Sequence, residues 1–284
     1  MNKTALNVRR LLLKAIFHAG SGHPGGSLSS VDILLYLYFS EMHFDEQSPD
    51  DIGRDRFVLS KGHAAAALYA VLVMRGLIPG EWLAGFRQMD AMLQGHPLAA
   101  RHGWIDATSG SLGQGFSAAI GIAKGFQVRA IPARSYVLLG DGELQEGMIW
   151  EGAIFAAHHG LSNLCAIVDD NKLQSDAPVQ EIMALEPLAD KWRAFGWQVI
   201  ECDGHDETDL GRAFDEARAE RQRPSVVVAH TVKGKGVSFM ENDPAWHGAL
   251  TLSEADYLAA LRELGVPDAD LPRYLDADWW GETA

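Results

Sequence analysis

The chain has 284 residues, a formal net charge of −14, a pI near 5.1 and 47% hydrophobic residues. That charge argues against nucleic acid or an anionic membrane as a partner, since both recruit a basic face, while the apolar content suffices for a sizeable core. The longest apolar run, Ala64 to Met74, is too short to cross a bilayer, and Leu11-Leu12-Leu13 meets Lys14 with no small-residue cleavage site, so a soluble cytoplasmic protein is expected.

In chain order, residues 4–19 carry Leu6, Leu13, Ile16 and Phe17 at helical spacing and stop at Gly20. The stretch Gly20-Ser21-Gly22-His23-Pro24-Gly25-Gly26-Ser27 reads as an irregular loop that presents His23 and leads into a helix from Ser30 through Phe39. Arg56–Ser60 reads as a strand with Lys61-Gly62-His63 at its end, and Gly95-His96-Pro97 repeats a glycine-flanked histidine before proline. An imidazole at such a strand end can donate to a phosphate oxygen or a substrate hydroxyl. Asp106-Ala107-Thr108-Ser109-Gly110-Ser111-Leu112-Gly113-Gln114-Gly115 opens a helix from about Gln114 to Val128. The glycines there lack the G-x-G-x-x-G spacing and no strand runs into them, which excludes a dinucleotide fingerprint.

Apolar, β-branched runs at Tyr136–Leu139 and Leu164–Val168 read as buried parallel strands. The first ends in Gly140-Asp141-Gly142-Glu143-Leu144-Gln145-Glu146-Gly147 and the second in Asp169-Asp170-Asn171-Lys172-Leu173. Further strands at Trp197–Cys202 and Ser225–His230 alternate with helices near Pro187–Phe195 and Thr208–Arg221. This alternation predicts an α/β fold, a doubly wound parallel sheet flanked by helices, over residues 1–250. Residues 251–284 are expected to add a helix capped by Ser253 and a tail whose Trp279-Trp280 faces a partner. Cys165 and Cys202 read as buried small hydrophobes in a reducing compartment. His158-His159 reads as a helix end, His205 as a loop residue without a catalytic part, and Lys233 and Lys235 of Thr231-Val232-Lys233-Gly234-Lys235 as solvated charges.

Ligands of open α/β sheets bind at the carboxyl ends of the strands, where Asp141 and Asn171 would meet. Mg²⁺ takes about six oxygens, one or two from protein groups and the rest from phosphate and water. Asp141, the Asn171 amide oxygen and the carbonyl of Leu173 would supply one face, and Gly140 and Gly142 would let the backbone approach a diphosphate. Gly-Asp-Gly is also an ordinary turn sequence, so alone it leaves both readings open.

Taken together, GSGHPGGSLSS, KGH, GHP, DATSGSLGQG, GDGELQEG with DDNKL, and NDPAWHG resemble the motifs of the transketolase family, in that family's order. The resemblance implies the diphosphate-binding domain of the thiamine diphosphate-binding fold, with thiamine diphosphate and Mg²⁺ (or Ca²⁺ or Mn²⁺) as cofactors. It implies Asp141, Asn171 and Leu173 as metal ligands. It implies His63, Gly110, Ser111, Leu112, Gly140, Asp141, Gly142, Glu143, Asn171 and His247 as cofactor contacts, and Glu146 at a subunit interface. His23, His63, His96 and His247 would line the sugar channel and move protons among hydroxyls. Family members continue with a pyrimidine-binding domain and a third domain, for which nothing after Gly248 leaves room. The expectation is therefore the amino-terminal subunit of a split transketolase, which moves a two-carbon ketol unit from a ketose (phosphate) to an aldose (phosphate). A second chain would complete it, in an α2β2 heterotetramer. A split relative of deoxyxylulose-phosphate synthase or dihydroxyacetone synthase, or a catalytically silent subunit, would share much of the pattern.

Overall fold

The computed structural model describes residues 2–248 and 250–280. In chain order its elements are α1 (Lys3–Ala19), α2 (Pro24–Tyr36), β1 (Arg56–Leu59), α3 (Ala65–Met74), α4 (Gln114–Val128), β2 (Ser135–Gly140), α5 (Gly147–His158), β3 (Leu164–Asp170), β4 (Leu173–Gln174), β5 (Ala177–Pro178), α6 (Val179–Met183), α7 (Leu188–Ala194), β6 (Gln198–Asp203), α8 (Glu207–Ala219), β7 (Ser225–His230), α9 (Glu254–Glu263) and α10 (Leu271–Leu275). Five strands form one sheet in the order β1-β2-β3-β7-β6, every pair parallel. Its register aligns Gly140 with Asp169 and Asp170 with His230, so the polar residues that follow three strands leave the sheet at one level.

Alternation along each strand sends side chains to both faces, and both are covered, which is why the strands read as unbroken apolar runs. Tyr136, Leu138, Cys165 and Ile167 pack under α1, α2, α3 and α8. Val137, Leu139, Ala166 and Val168 pack under α4, α5 and α7. The apolar run at 64–74 is helix α3, buried all round. Both cysteines are buried and unpaired.

The expected loop before the second helix is a correction: α2 begins at Pro24 with His23 as its N-cap. Proline at the first helical position loses no hydrogen bond, because that N–H has no intrahelical partner. The two glycines are there for room rather than freedom. A Cβ on Gly25 would lie 2.9 Å from the Trp246 carbonyl oxygen, and one on Gly26 would lie 3.1 Å from His63 Nε2. Beyond Tyr36 the helix widens into a π turn, Leu37–Glu41.

Residues 251–280 do not stand apart. Leu252, Tyr257, Leu261, Leu264 and Trp280 belong to the same core as α1–α3, and Tyr257 stacks on Phe17 at 4.3 Å between ring centroids. Both tryptophans of this segment touch α1: the Lys14 ammonium sits 5.2 Å from the Trp279 ring and 5.0 Å from the Trp280 ring, and Trp279 stays partly exposed. Residues 281–284 of the expected tail lie outside the described residues.

Candidate active site

Four strand tips build the site. Asp141 follows β2, Asn171 follows β3, His63 follows β1 and Lys233 follows β7, and all four line a cavity of about 100 Å³ together with Leu173 and His247. Asp141 is buried; its Oδ1 accepts from the Gly142 N–H at 2.7 Å and its Oδ2 from the Lys172 N–H at 2.6 Å. Lys172 takes a left-handed backbone (φ 66°), and Asn171 Oδ1 accepts from the Leu173 N–H at 3.1 Å. The expected ligand residues Asp141, Asn171 and Leu173 thus line one cavity. Burial, and then the charge of Asp169, push the Asp141 carboxyl up to about 7. A carboxylate held that way favours a bound cation, since opposite charges 4 Å apart attract by ~4 kcal/mol at an effective dielectric of 20.

Three of the four expected histidines form a triangle. Ring centroids are 5.3 Å apart for His23 and His63, 5.5 Å for His63 and His247, and 6.1 Å for His23 and His247. His96 stands to the side against Gly110, where a Cβ would lie 3.0 Å from its Cγ; Gly110 keeps that space open at φ 139°. All four imidazoles are held below their ordinary range. Burial is the main cause, assisted by the charge of Arg87 at His23 and His96, Lys61 at His63, and Lys233 at His247.

Lys233 is a correction to the sequence reading. It is 1% exposed, its ammonium donates to the Leu173 carbonyl at 2.8 Å, and His247 Nδ1 stands 2.6 Å away. Burial, with Lys61 second, lowers it to about 8. Nothing local announces that burial; the signal was only its place after a strand at the same sheet edge. Lys61, Asp169 and Gln174 also went unnoticed. Gln174 packs over Gly142, where a Cβ would meet its own Cβ at 2.7 Å, and exchanges amide hydrogen bonds with Gln145.

Glu143 turns inward. Its carboxylate accepts from Ser60 Oγ at 2.5 Å, Gly113 N–H at 2.8 Å and Gly140 N–H at 3.0 Å, and so fastens the Gly110–Gly113 loop to the tips of β1 and β2. Ser111 is exposed and Leu112 partly so, beside the cavity. Glu146 is exposed at the N-cap of α5. His205 lies in the turn after β6, as expected, and is tied down there: Nδ1 bonds Asp32 at 2.7 Å and Nε2 accepts from the Val232 N–H at 2.9 Å.

A larger hollow of about 640 Å³ lies between α1, α2 and α8, where Asp32 is already bonded by Arg9 and His205. At the strand tips His23 Nδ1, whose ring lies beside His63 and His247, is buried without a hydrogen-bond partner, a state it shares with Ser27 Oγ and, away from the cavity, with His102 Nδ1, Arg134 Nε and Trp192 Nε1. An orphaned imidazole nitrogen is one that a bound polar group would satisfy. A Gly-lined cradle, a buried carboxylate and neighbouring imidazoles at the carboxyl edge of a parallel sheet are features of a diphosphate-binding domain.

The chain belongs to the transketolase family: residues 1–273 match the family described as transketolase, thiamine diphosphate binding domain. It is 46% identical over 257 residues to the 6-deoxy-6-sulfo-D-fructose transketolase subunit SqwG of Clostridium sp. (strain MSTE9), over 90% of this chain and 93% of that one. It is 39% identical over 256 residues to one of the subunits of the apulose-4-phosphate transketolase of Phocaeicola vulgatus, over 90% of each. Among solved structures, transketolase from Campylobacter jejuni superimposes with a TM-score of 0.86 at 30% identity, over 99% of this chain and 47% of that chain. The chain therefore spans about half the length of that transketolase and nearly all of the relatives named as subunits. It is a transketolase chain of the amino-terminal, diphosphate-binding type, and thiamine diphosphate is the cofactor of its family. Among the described residues, no helix is long and apolar enough to cross a membrane.

Proposed function

We propose that this chain supplies the diphosphate- and metal-binding half of a two-chain transketolase, which moves a two-carbon ketol unit from a ketose to an aldehyde acceptor. The observation that carries this reading is that Asp141, Asn171 and Leu173 line one cavity with His63 and His247, whose rings stand within 6.1 Å of His23 between centroids. Asp141, Asn171 and Leu173 would hold Mg²⁺, whose oxygen preference they match. His63, Gly140, Gly142, His247 and Lys233 would take the diphosphate, and Gly110, Ser111 and Leu112 the ring end, with Glu143 holding that loop in place from behind. When bound, thiamine diphosphate supplies the ring that stores the electrons of the broken C–C bond.

The chain's own contribution is proton handling and orientation. A neutral imidazole offers one N–H donor and one acceptor nitrogen, so His23, His63, His96 and His247 can each orient a sugar hydroxyl or take its proton. General acid–base help of this kind contributes about 10²–10⁴-fold. The Arg87 guanidinium packs over Gly95 beside His96, with Nη1 3.2 Å from where a Gly95 Cβ would stand, and it favours a sugar with a phosphate or sulfonate terminus.

A second subunit would bring the pyrimidine-binding half, with Glu146 at the contact, and the assembly we propose is an α2β2 heterotetramer. Relatives of the same length named as subunits support a partner. Two buried unpaired thiols suit the reducing cytoplasm in which we place the enzyme. Coexpressing the chain with a pyrimidine-domain protein and screening ketose donors against aldose acceptors tests the proposal. Turnover should require both chains, thiamine diphosphate and a divalent cation. Full turnover by this chain alone would defeat the two-chain reading.

A further inference from the structure

At the wall of the site, where Lys61 lines the cavity, and outside every role assigned above, lies a buried ion pair between Lys61 and Asp169, whose side chains are 1% and 0% exposed. Asp169 Oδ2 accepts from the Lys61 ammonium and from Ser29 Oγ at 2.6 Å, and Oδ1 accepts from Thr231 Oγ1. The Lys61 ammonium also donates to the Gly26 carbonyl at 3.0 Å, and the Ser30 hydroxyl donates to the same oxygen at 2.8 Å. Four segments meet at this hub. Lys61 stands two residues before His63, Asp169 two before Asn171, Thr231 two before Lys233, and Gly26 three after His23. Moreover β1 and β3 are not neighbours. Since β2 lies between them, the Lys61 side chain crosses the tip of β2 at Gly140 to reach Asp169.

We propose that Lys61 and Asp169 are positioning residues, whose ion pair fixes His23, His63, Asn171 and Lys233 relative to one another and so sets the geometry of the site without itself serving as ligand or acid–base group. The proposal rests on the reading of the strand tips as the cofactor site. The physical case is one of reach: a segment two residues from a clamped point has about 7 Å of extended chain in which to drift, and the hub clamps four such segments to one pair of charges. Supporting groups that orient ligands in this way are worth roughly 10–100-fold in metal affinity or activity when removed.

Breaking a buried pair leaves one charge uncompensated, whereas neutralising both partners does not. The test therefore compares Lys61→Met, Asp169→Asn and the double variant in the full chain, using imidazole ¹⁵N–¹H correlation spectra, and then cofactor affinity in the two-chain complex. The expected result is that both single variants lower the unfolding midpoint and displace the His23 and His63 resonances. The double variant should recover the midpoint while those resonances stay displaced and affinity for thiamine diphosphate stays roughly 10–100-fold weaker. Recovery of midpoint, resonances and affinity together would show a purely structural pair and overturn the proposal. So would affinity lost in Lys61→Met but kept in Asp169→Asn, which would make Lys61 a direct ligand contact. If the single variants fail to fold, Thr231→Val, which removes only the donor to Asp169 Oδ1, should displace the His247 resonance through Lys233, and an unmoved resonance would overturn the proposal. The spectra are read without cofactor, so a wild-type chain that binds no thiamine diphosphate would refute the functional reading while leaving the positioning test intact.

Discussion

At the site the histidines carry a pH signature. Burial and neighbouring cations lower His23 to about 4 and His247 to about 3, against an ordinary value of 6.5, and place His63 well below it. A depressed value means that the unfolded chain binds protons below pH 6.5 that the folded chain refuses. Stability from these groups is therefore present above pH 6.5 and lost progressively as pH falls toward 4. Urea denaturation at pH 7, 6 and 5 should show that loss, and His23→Asn should reduce its steepness. Glu143 gives a second expectation. Its carboxylate is 2% exposed and accepts three hydrogen bonds, so Glu143→Gln turns one acceptor into a donor facing donors and should cost about 1–3 kcal/mol in chemical denaturation. Residue types were legible where chemistry demanded them, as with Asp141 and Asn171. Lys233 was not, because its burial comes from α2 and from the loop holding His247, both remote in sequence.

Among the elements, α2 and α4 make opposite use of glycine. Gly25 sits where a Cβ would press on the Trp246 carbonyl oxygen at 2.9 Å, whereas Gly121 has nothing within 4 Å. Gly25→Ala should therefore destabilise by about 1–3 kcal/mol, while Gly121→Ala should stabilise α4 by up to ~1 kcal/mol through helix propensity; thermal unfolding of the pair checks both. Strand Ser225–His230 was readable from its β-branched apolar run after Pro224, and helix Gln114–Val128 from its apolar pattern after Gly113. The start of α2 was not, because Gly-rich sequence marks a loop by local rules, and only the approach of His63 and Trp246 shows why glycine serves a helix there.

On the scale of the whole molecule, the parallel sheet was legible from alternating strands and helices, but its order was not. That β7 sits beside β3, bringing Lys233 to Asn171, is settled by packing on both faces rather than by any single segment. The carboxyl-terminal segment shows the same limit: that Trp280, 7% exposed, packs beside Lys14 of α1 is not readable from its own stretch of sequence. Trp280→Ala should cost about 3–5 kcal/mol in the isolated chain, a loss that a tail packed only on a partner would not show.

If separate strand tips hold a metal-bound diphosphate through Asp141, Asn171 and Leu173, cofactor binding must depend on both the cation and the Asp141 carboxylate. Calorimetric titration of thiamine diphosphate into the two-chain complex, with and without Mg²⁺, for wild type and Asp141→Ala, measures that dependence. Tight binding is expected only for wild type with the cation present. Equal affinity in the Asp141→Ala complex, or binding indifferent to the metal, would rule such a site out.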